Sequence, residues 1–199
     1  MWALVTDNTI TKTLNNPKGL IIDDIQYSRK IFSLWSVSEK EAKGIYEVVF
    51  NNTNKKDEAY YTNTNQSFAF ADGVVTASYG SATAKAHADA NAVDEDGDEL
   101  DPVVVIPGLK TKLIRTLKSQ AASILAQTDW YIVRKADANT AVPSAVTTYR
   151  AAVRTKSGEM ETIIDNASDV DALATLYNHT EQPDGTHTRP LGEFPTLEV

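Results

Sequence analysis

VVTASYGSATAKAHADANAVDEDGDELDPVVVIPGLKTKLIRTLKSQAASIL, residues 74–125, contains the change of pattern that sets the fold class. It opens on β-prone residues directly after Asp72-Gly73, a pair that accepts the positive φ of a two-residue hairpin turn. It closes with Leu109, Leu113, Ile114, Leu117, Ala121, Ile124 and Leu125, spaced so that they draw one apolar stripe along a helix. Lys110, Lys112, Arg115 and Lys118 lie off that stripe. Between the two patterns the chain is small and polar, then acidic: Asp89, Asp94, Glu95, Asp96, Asp98, Glu99 and Asp101, with no base among them. This segment reads as a linker, or as a loop on a short Ala-rich helix over residues 82–92. The chain is therefore expected to be α+β, an N-terminal antiparallel β region followed by a C-terminal helical hairpin or small bundle.

Upstream, residues 2–14 (WALVTDNTITKTL) read as a hairpin around Asp7-Asn8. Residues 15–19 are a loop by composition, and Asp23-Asp24 breaks a short apolar stretch. Residues 36–43 suit one or two helical turns, with Ser38 as the cap and Glu39 and Glu41 in the first turn. Gly44 ends them, and strands are expected over 45–50, 59–62, 67–71 and 74–79.

Downstream, Thr128-Asp129 ends the first helix or caps the next turn, and Pro143 suits the first turn of a second helix. Val146, Tyr149, Ala152 and Val153 share one face of it, and Gly158 is a candidate interruption. A third helix starts at Ser168-Asp169-Val170-Asp171, a cap with acids in its first turn, and buries Val170, Leu173, Leu176 and Tyr177. Pro183, Gly185, Pro190, Gly192 and Pro195 make the end irregular. The expected division is a β-rich domain over 1–80, an acidic linker over 81–107, a helical domain over 108–178 and an irregular tail over 179–199.

Composition narrows the function. The chain of 199 residues has no cysteine, which removes disulfides and thiolate chemistry. A net charge of −8 argues against nucleic acid as a partner. No stretch has the ~18 apolar residues of a membrane span, and the N-terminus has no basic lead of a signal peptide. The sequons at Asn51 and Asn65 therefore carry little weight. Charge is uneven, however: residues 109–156 hold nine Lys or Arg against Asp129 and Asp137 alone. Such asymmetry marks an interaction face, or halves that attract one another.

Patterns for chemistry are missing. The acidic run fits positions 1, 3 and 5 of an EF-hand loop, but Glu99 stands where the turn glycine belongs and Val105 where the bidentate Glu belongs. His87, His179 and His187 are far apart and in loop-like sequence. No nucleophile elbow, phosphate-cradling loop or dinucleotide fingerprint occurs. The reading is a non-enzymatic protein with no cofactor and no metal.

One segment carries a resemblance. Residues 123–134 read SILAQTDWYIVR and residues 142–154 read VPSAVTTYRAAVR. Over residues 117–154 the chain resembles the C-terminal segment of phage tail-fibre assembly proteins, also called tail assembly chaperones. In that family a helix ends in a leucine pair and Thr-Asp-Trp, and a short link leads to a helix with Tyr-Arg-x-x-Leu-Arg. Val153 stands here in place of the Leu, and the tail has Phe194-Pro195 but not the family's Trp. Trp35-Ser36 with Gly44-Ile45-Tyr46 is also similar to small proteins encoded near tail genes of marine phages.

The resemblance implies a chaperone that binds a phage tail-fibre or tail protein in the host cytoplasm during assembly. The alternative is a permanent virion component of the tail, baseplate or fibre, and an oligomer is open in either case. The residues it singles out are Asp129, Trp130, Arg134, Tyr149, Arg150 and Arg154. Asp129 suits the cap of a turn carrying Trp130, with Arg134, Arg150 and Arg154 as planar cations near the indole. Asp129, Arg134 and Arg150 equally suit an internal cap and salt-bridge network that fixes two helices. Tyr149 and Tyr177 read as core, and Trp130 reads either way.

Overall fold

β1 (Trp2–Thr6) and β2 (Thr9–Leu14) pair as a hairpin closed by Asp7 and Asn8, whose φ angles are 48° and 57°. Short polar side chains tolerate this left-handed region far better than the flanking β-branched residues would. The computed structural model describes residues 1–64 and 66–197; the Asn65 sequon and the last two residues of the tail lie outside the described residues. The chain divides into two units, Met1–Thr83 and Ala84–Val199.

In the first unit, β3 (Leu20–Ile22) and β4 (Ile25–Tyr27) turn back at Asp23-Asp24, again at positive φ. Two short helices follow, α1 (Ile31–Leu34) and α2 (Val37–Glu41). The cap of α2 is Ser36, not Ser38. The Glu39 N–H donates to Ser36 Oγ at 3.2 Å, and the Ser36 N–H donates to the Glu39 carboxylate at 2.7 Å. Ser38 has the same spacing to Glu41, but it lies inside α2, whereas Ser36 has the extended backbone of a cap, with φ −62° and ψ 167°. The backbone donor at Ser36 holds the Glu39 carboxyl below the usual carboxylate range.

β5 (Ile45–Asn51) starts directly after Gly44, which has φ 72°. A Cβ there would lie 2.2 Å from the Val5 carbonyl oxygen, so the position requires glycine. β6 (Tyr61–Thr62) is shorter than the strand expected over 59–62, because residues 58–60 form a turn. β7 (Ser67–Ala71) and β8 (Val74–Ser78) form the Asp72-Gly73 hairpin, and β9 (Thr83–Ala84) lies at the division between units.

Five strands make a curled sheet in the order β2-β1-β5-β8-β7. The expected all-antiparallel pairing is corrected at one place: β5 and β8 run parallel, with Val48 opposite Val75 and Phe50 opposite Ala77. The chain between β5 and β7 crosses over, so the 67–78 hairpin presents its second strand to β5 in the same direction. Alternation along β1 then serves two cores. Ala3 and Val5 join Val48, Val75 and Ala77 on one face. Trp2 and Leu4 pack on Leu14, Leu20, Ile31, Phe32 and Ile45 on the other.

In the second unit the acidic segment forms an extended arm. β10 (Ala90–Asn91) pairs with β11 (Val105–Ile106), and Val93 bridges Glu99. The arm reverses where the Asp94 carboxylate accepts the N–H groups of Asp96 and Asp98. Residues 82–92 are not helical. The helices are α3 (Leu109–Ala126), α4 (Asp129–Ala138), α5 (Ser144–Asp165) and α6 (Val170–Thr175).

Arm and helix meet at Gly108, the N-cap of α3. The Asp89 carboxylate accepts the Gly108 N–H at 2.8 Å and the Thr111 hydroxyl at 3.0 Å. It thereby ties the arm to the helix start, while the first-turn N–H groups of Leu109 and Lys110 donate to the Ala86 and His87 carbonyls. α5 runs straight through Gly158, whose lack of a side chain costs too little to break a helix of 22 residues.

α3 and α5 lie antiparallel. The Lys110 ammonium donates to the Asp165 carbonyl at 2.5 Å, Lys118 pairs with Glu161, and Arg150 reaches the Leu125 carbonyl. Leu109, Leu117 and Ala121 of α3 and Val146, Val153, Met160 and Ile164 of α5 are buried. Asp169 caps α6 by accepting the Ala172 N–H. Beyond α6 the tail forms a two-stranded hairpin, β12 (Thr180–Glu181) and β13 (His187–Thr188). It then returns to the helices: Leu191 is buried and its N–H donates to the Leu176 carbonyl.

Candidate protein-binding site

The corner between α3 and α4 is where the sequence segment of interest folds. Three residues hold it. Arg150, buried on α5, donates through one terminal nitrogen to the Leu125 carbonyl at 2.7 Å and to the Thr128 hydroxyl at 2.7 Å. Its other terminal nitrogen lies 2.8 Å from the Asp129 carboxylate. Thr128, itself buried, donates its hydroxyl to the same Leu125 carbonyl at 3.0 Å. The last turn of α3 has carbonyls without helical partners, and the guanidinium fork satisfies one of them while facing the first residue of α4.

Asp129 therefore does not cap α4. It is the first helical residue, with Thr128 in the N-cap position and no side-chain cap bond. Its carboxylate still favours the positive end of the α4 dipole.

α4 itself is ten residues long with none buried. Trp130 is 51% exposed, Ile132 43% and Val133 65%. The Arg134 guanidinium carbon lies 4.7 Å from the centre of the Trp130 ring and 5.4 Å from that of Tyr131. The Arg134 Nε is buried with no hydrogen-bond partner among the described residues. One helical turn separates Trp130 from Arg134, the spacing at which side chains share a face.

The six residues singled out by sequence thus fall into two groups. Asp129 and Arg150 meet inside the corner, and Arg154 donates to the Arg150 carbonyl at 3.4 Å from an exposed position. Trp130 and Arg134 stack together on the outer helix. Tyr149 is half-buried on α5 and belongs to neither group. Sequence reasoning missed Thr128 as a buried hydroxyl and missed α4 as a helix. The capping role given to Asp129 hid the first. The contiguous run Trp130-Tyr131-Ile132-Val133, which has strand-like composition, hid the second.

No group of three or more His, Cys, Asp or Glu placed to hold a metal ion occurs among the described residues. No helix among them is long and apolar enough to cross a membrane. Comparison with protein-family models, with curated proteins and with solved structures finds no match in any of the three.

Proposed function

We propose that this chain is a phage tail-fibre assembly chaperone. It acts without catalysis or cofactor, by binding a fibre or tail subunit in the host cytoplasm until that subunit assembles. One observation carries the reading. The segment that resembles the assembly proteins contains a helix, α4, that displays Trp130 and Val133 to solvent from a corner locked by Arg150, Thr128 and Asp129. A helix with no buried residue gains little from its own chain, so its apolar side chains suit a partner.

The test is co-expression with the tail-fibre subunit encoded beside this chain. Fibre solubility and trimer yield are compared with and without it. Soluble fibre only in its presence, followed by release, supports the chaperone. A stoichiometric complex carried into purified particles means a permanent virion component in the tail instead. No effect on the fibre and no complex overturns both.

A further inference from the structure

We infer that α4 docks as a helix into an apolar groove on the fibre subunit, and that an Asp or Glu of that subunit receives Arg134. The inference rests on the chaperone reading and specifies its partner surface.

Trp130, Val133 and Arg134 follow i, i+3, i+4 and so share one side of α4. Trp130 and Val133 are more than half exposed. Trp130 and Val133 occupy the i and i+3 anchor positions of a helix laid in a groove, and Arg134 stands at i+4. The exposed apolar side chains of α4 amount to roughly 300 Å², whereas a standard interface takes about 800 Å² from each partner. Any partner must therefore also cover surface beside α4, such as the neighbouring corner.

Charge sets the chemistry of the groove. The nearest acid on the helix start, Asp129, is already engaged by Arg150. Arg134 pairs with no carboxylate among the described residues, and neither does Lys135. Stacking on Trp130 and Tyr131 fixes the guanidinium plane, so its terminal donors are pre-oriented for a bidentate carboxylate. The surrounding excess of bases over residues 109–156 favours an acidic partner at longer range.

The test measures affinity of the full chain for the purified fibre subunit by calorimetry. Trp130→Ala, Arg134→Gln and, as a control on β5, Val49→Ala are compared with the original chain, each checked for its helical circular dichroism. Trp130→Ala is expected to weaken binding by about 30-fold, as a central aromatic anchor does. Arg134→Gln is expected to lose about tenfold and to flatten the dependence on salt. Val49→Ala should bind as the original chain does.

If the original chain binds but the two α4 variants match it, the docking face is wrong while the chaperone reading stands. If the original chain does not bind the fibre at all, both fall. If it sediments as a dimer that Trp130→Ala converts to monomer, a second copy covers α4, and the groove on the fibre is refuted.

Discussion

Truncating Arg150 and truncating Asp129 should have very different costs, although the two form one ion pair. Arg150 is 7% exposed and makes three polar contacts at 2.7–2.8 Å. Arg150→Ala removes a charged donor from the Thr128 hydroxyl and from the Leu125 carbonyl, each such bond contributing about 1.5–3 kcal/mol. The loss is not complete. The Leu125 carbonyl keeps the Thr128 N–H and hydroxyl, both at 3.0 Å, and the desolvation of the guanidinium is recovered. Removing the side chain also leaves a void beneath the corner.

The balance is a destabilisation of about 2–4 kcal/mol. Asp129, by contrast, has a side chain 56% exposed, so its ion pair is largely screened. Asp129→Ala should cost less than about 1 kcal/mol. Urea unfolding followed at 222 nm reports the helical unit. Equal costs for the two variants, or an Arg150→Ala midpoint unchanged within error, would refute the account of the corner as held from α5.

Three further outcomes follow from the same geometry. Gly44→Ala places a Cβ against the Val5 carbonyl at 2.2 Å with φ at 72°, and should destabilise the first unit by about 3 kcal/mol or more; an unchanged near-ultraviolet melt of its Trp residues contradicts this. Gly108→Ala brings a Cβ to 2.3 Å from the Ala88 carbonyl oxygen and should loosen the arm at residues 86–89, raising amide exchange there without melting α5. The Asp89 carboxyl is held below its usual range, first by the Gly108 N–H and then by the Thr111 hydroxyl. A depressed folded pKa means that stability present at neutral pH is lost as pH falls below about 4, the ordinary Asp range, and through the lower folded value. The melting difference between the original chain and Asp89→Ala should therefore be present at pH 7 and shrink on acidification; a constant difference across that window rejects the role of the charged carboxylate in holding Gly108 and Thr111.

Local chemistry was legible in the residues alone. Asp7-Asn8 and Asp72-Gly73 announced hairpins because a turn depends on the φ preferences of two residues. The α3 stripe and the Asp169 cap were readable because helical spacing and capping act within one or two turns. The α+β order followed from the change of period between Val74 and Leu125.

What tertiary structure decided lies at longer range. Strand residues in 45–50 and 74–78 do not reveal that β5 and β8 run parallel, because direction depends on the path of the crossover between them. Seven acids within residues 89–101 read as a linker, yet one of them, Asp89, ties the arm to α3 through a donor 19 residues away. Arg150 suited an internal network and a partner contact equally in sequence. It is buried against a carbonyl 25 residues distant, that of Leu125 in the last turn of α3, and against the Thr128 hydroxyl. Trp130 carried the same ambiguity: an indole suits a core and an interface equally in sequence. Only the packing of α3 on α5, which leaves α4 with no buried residue, put it on the outside.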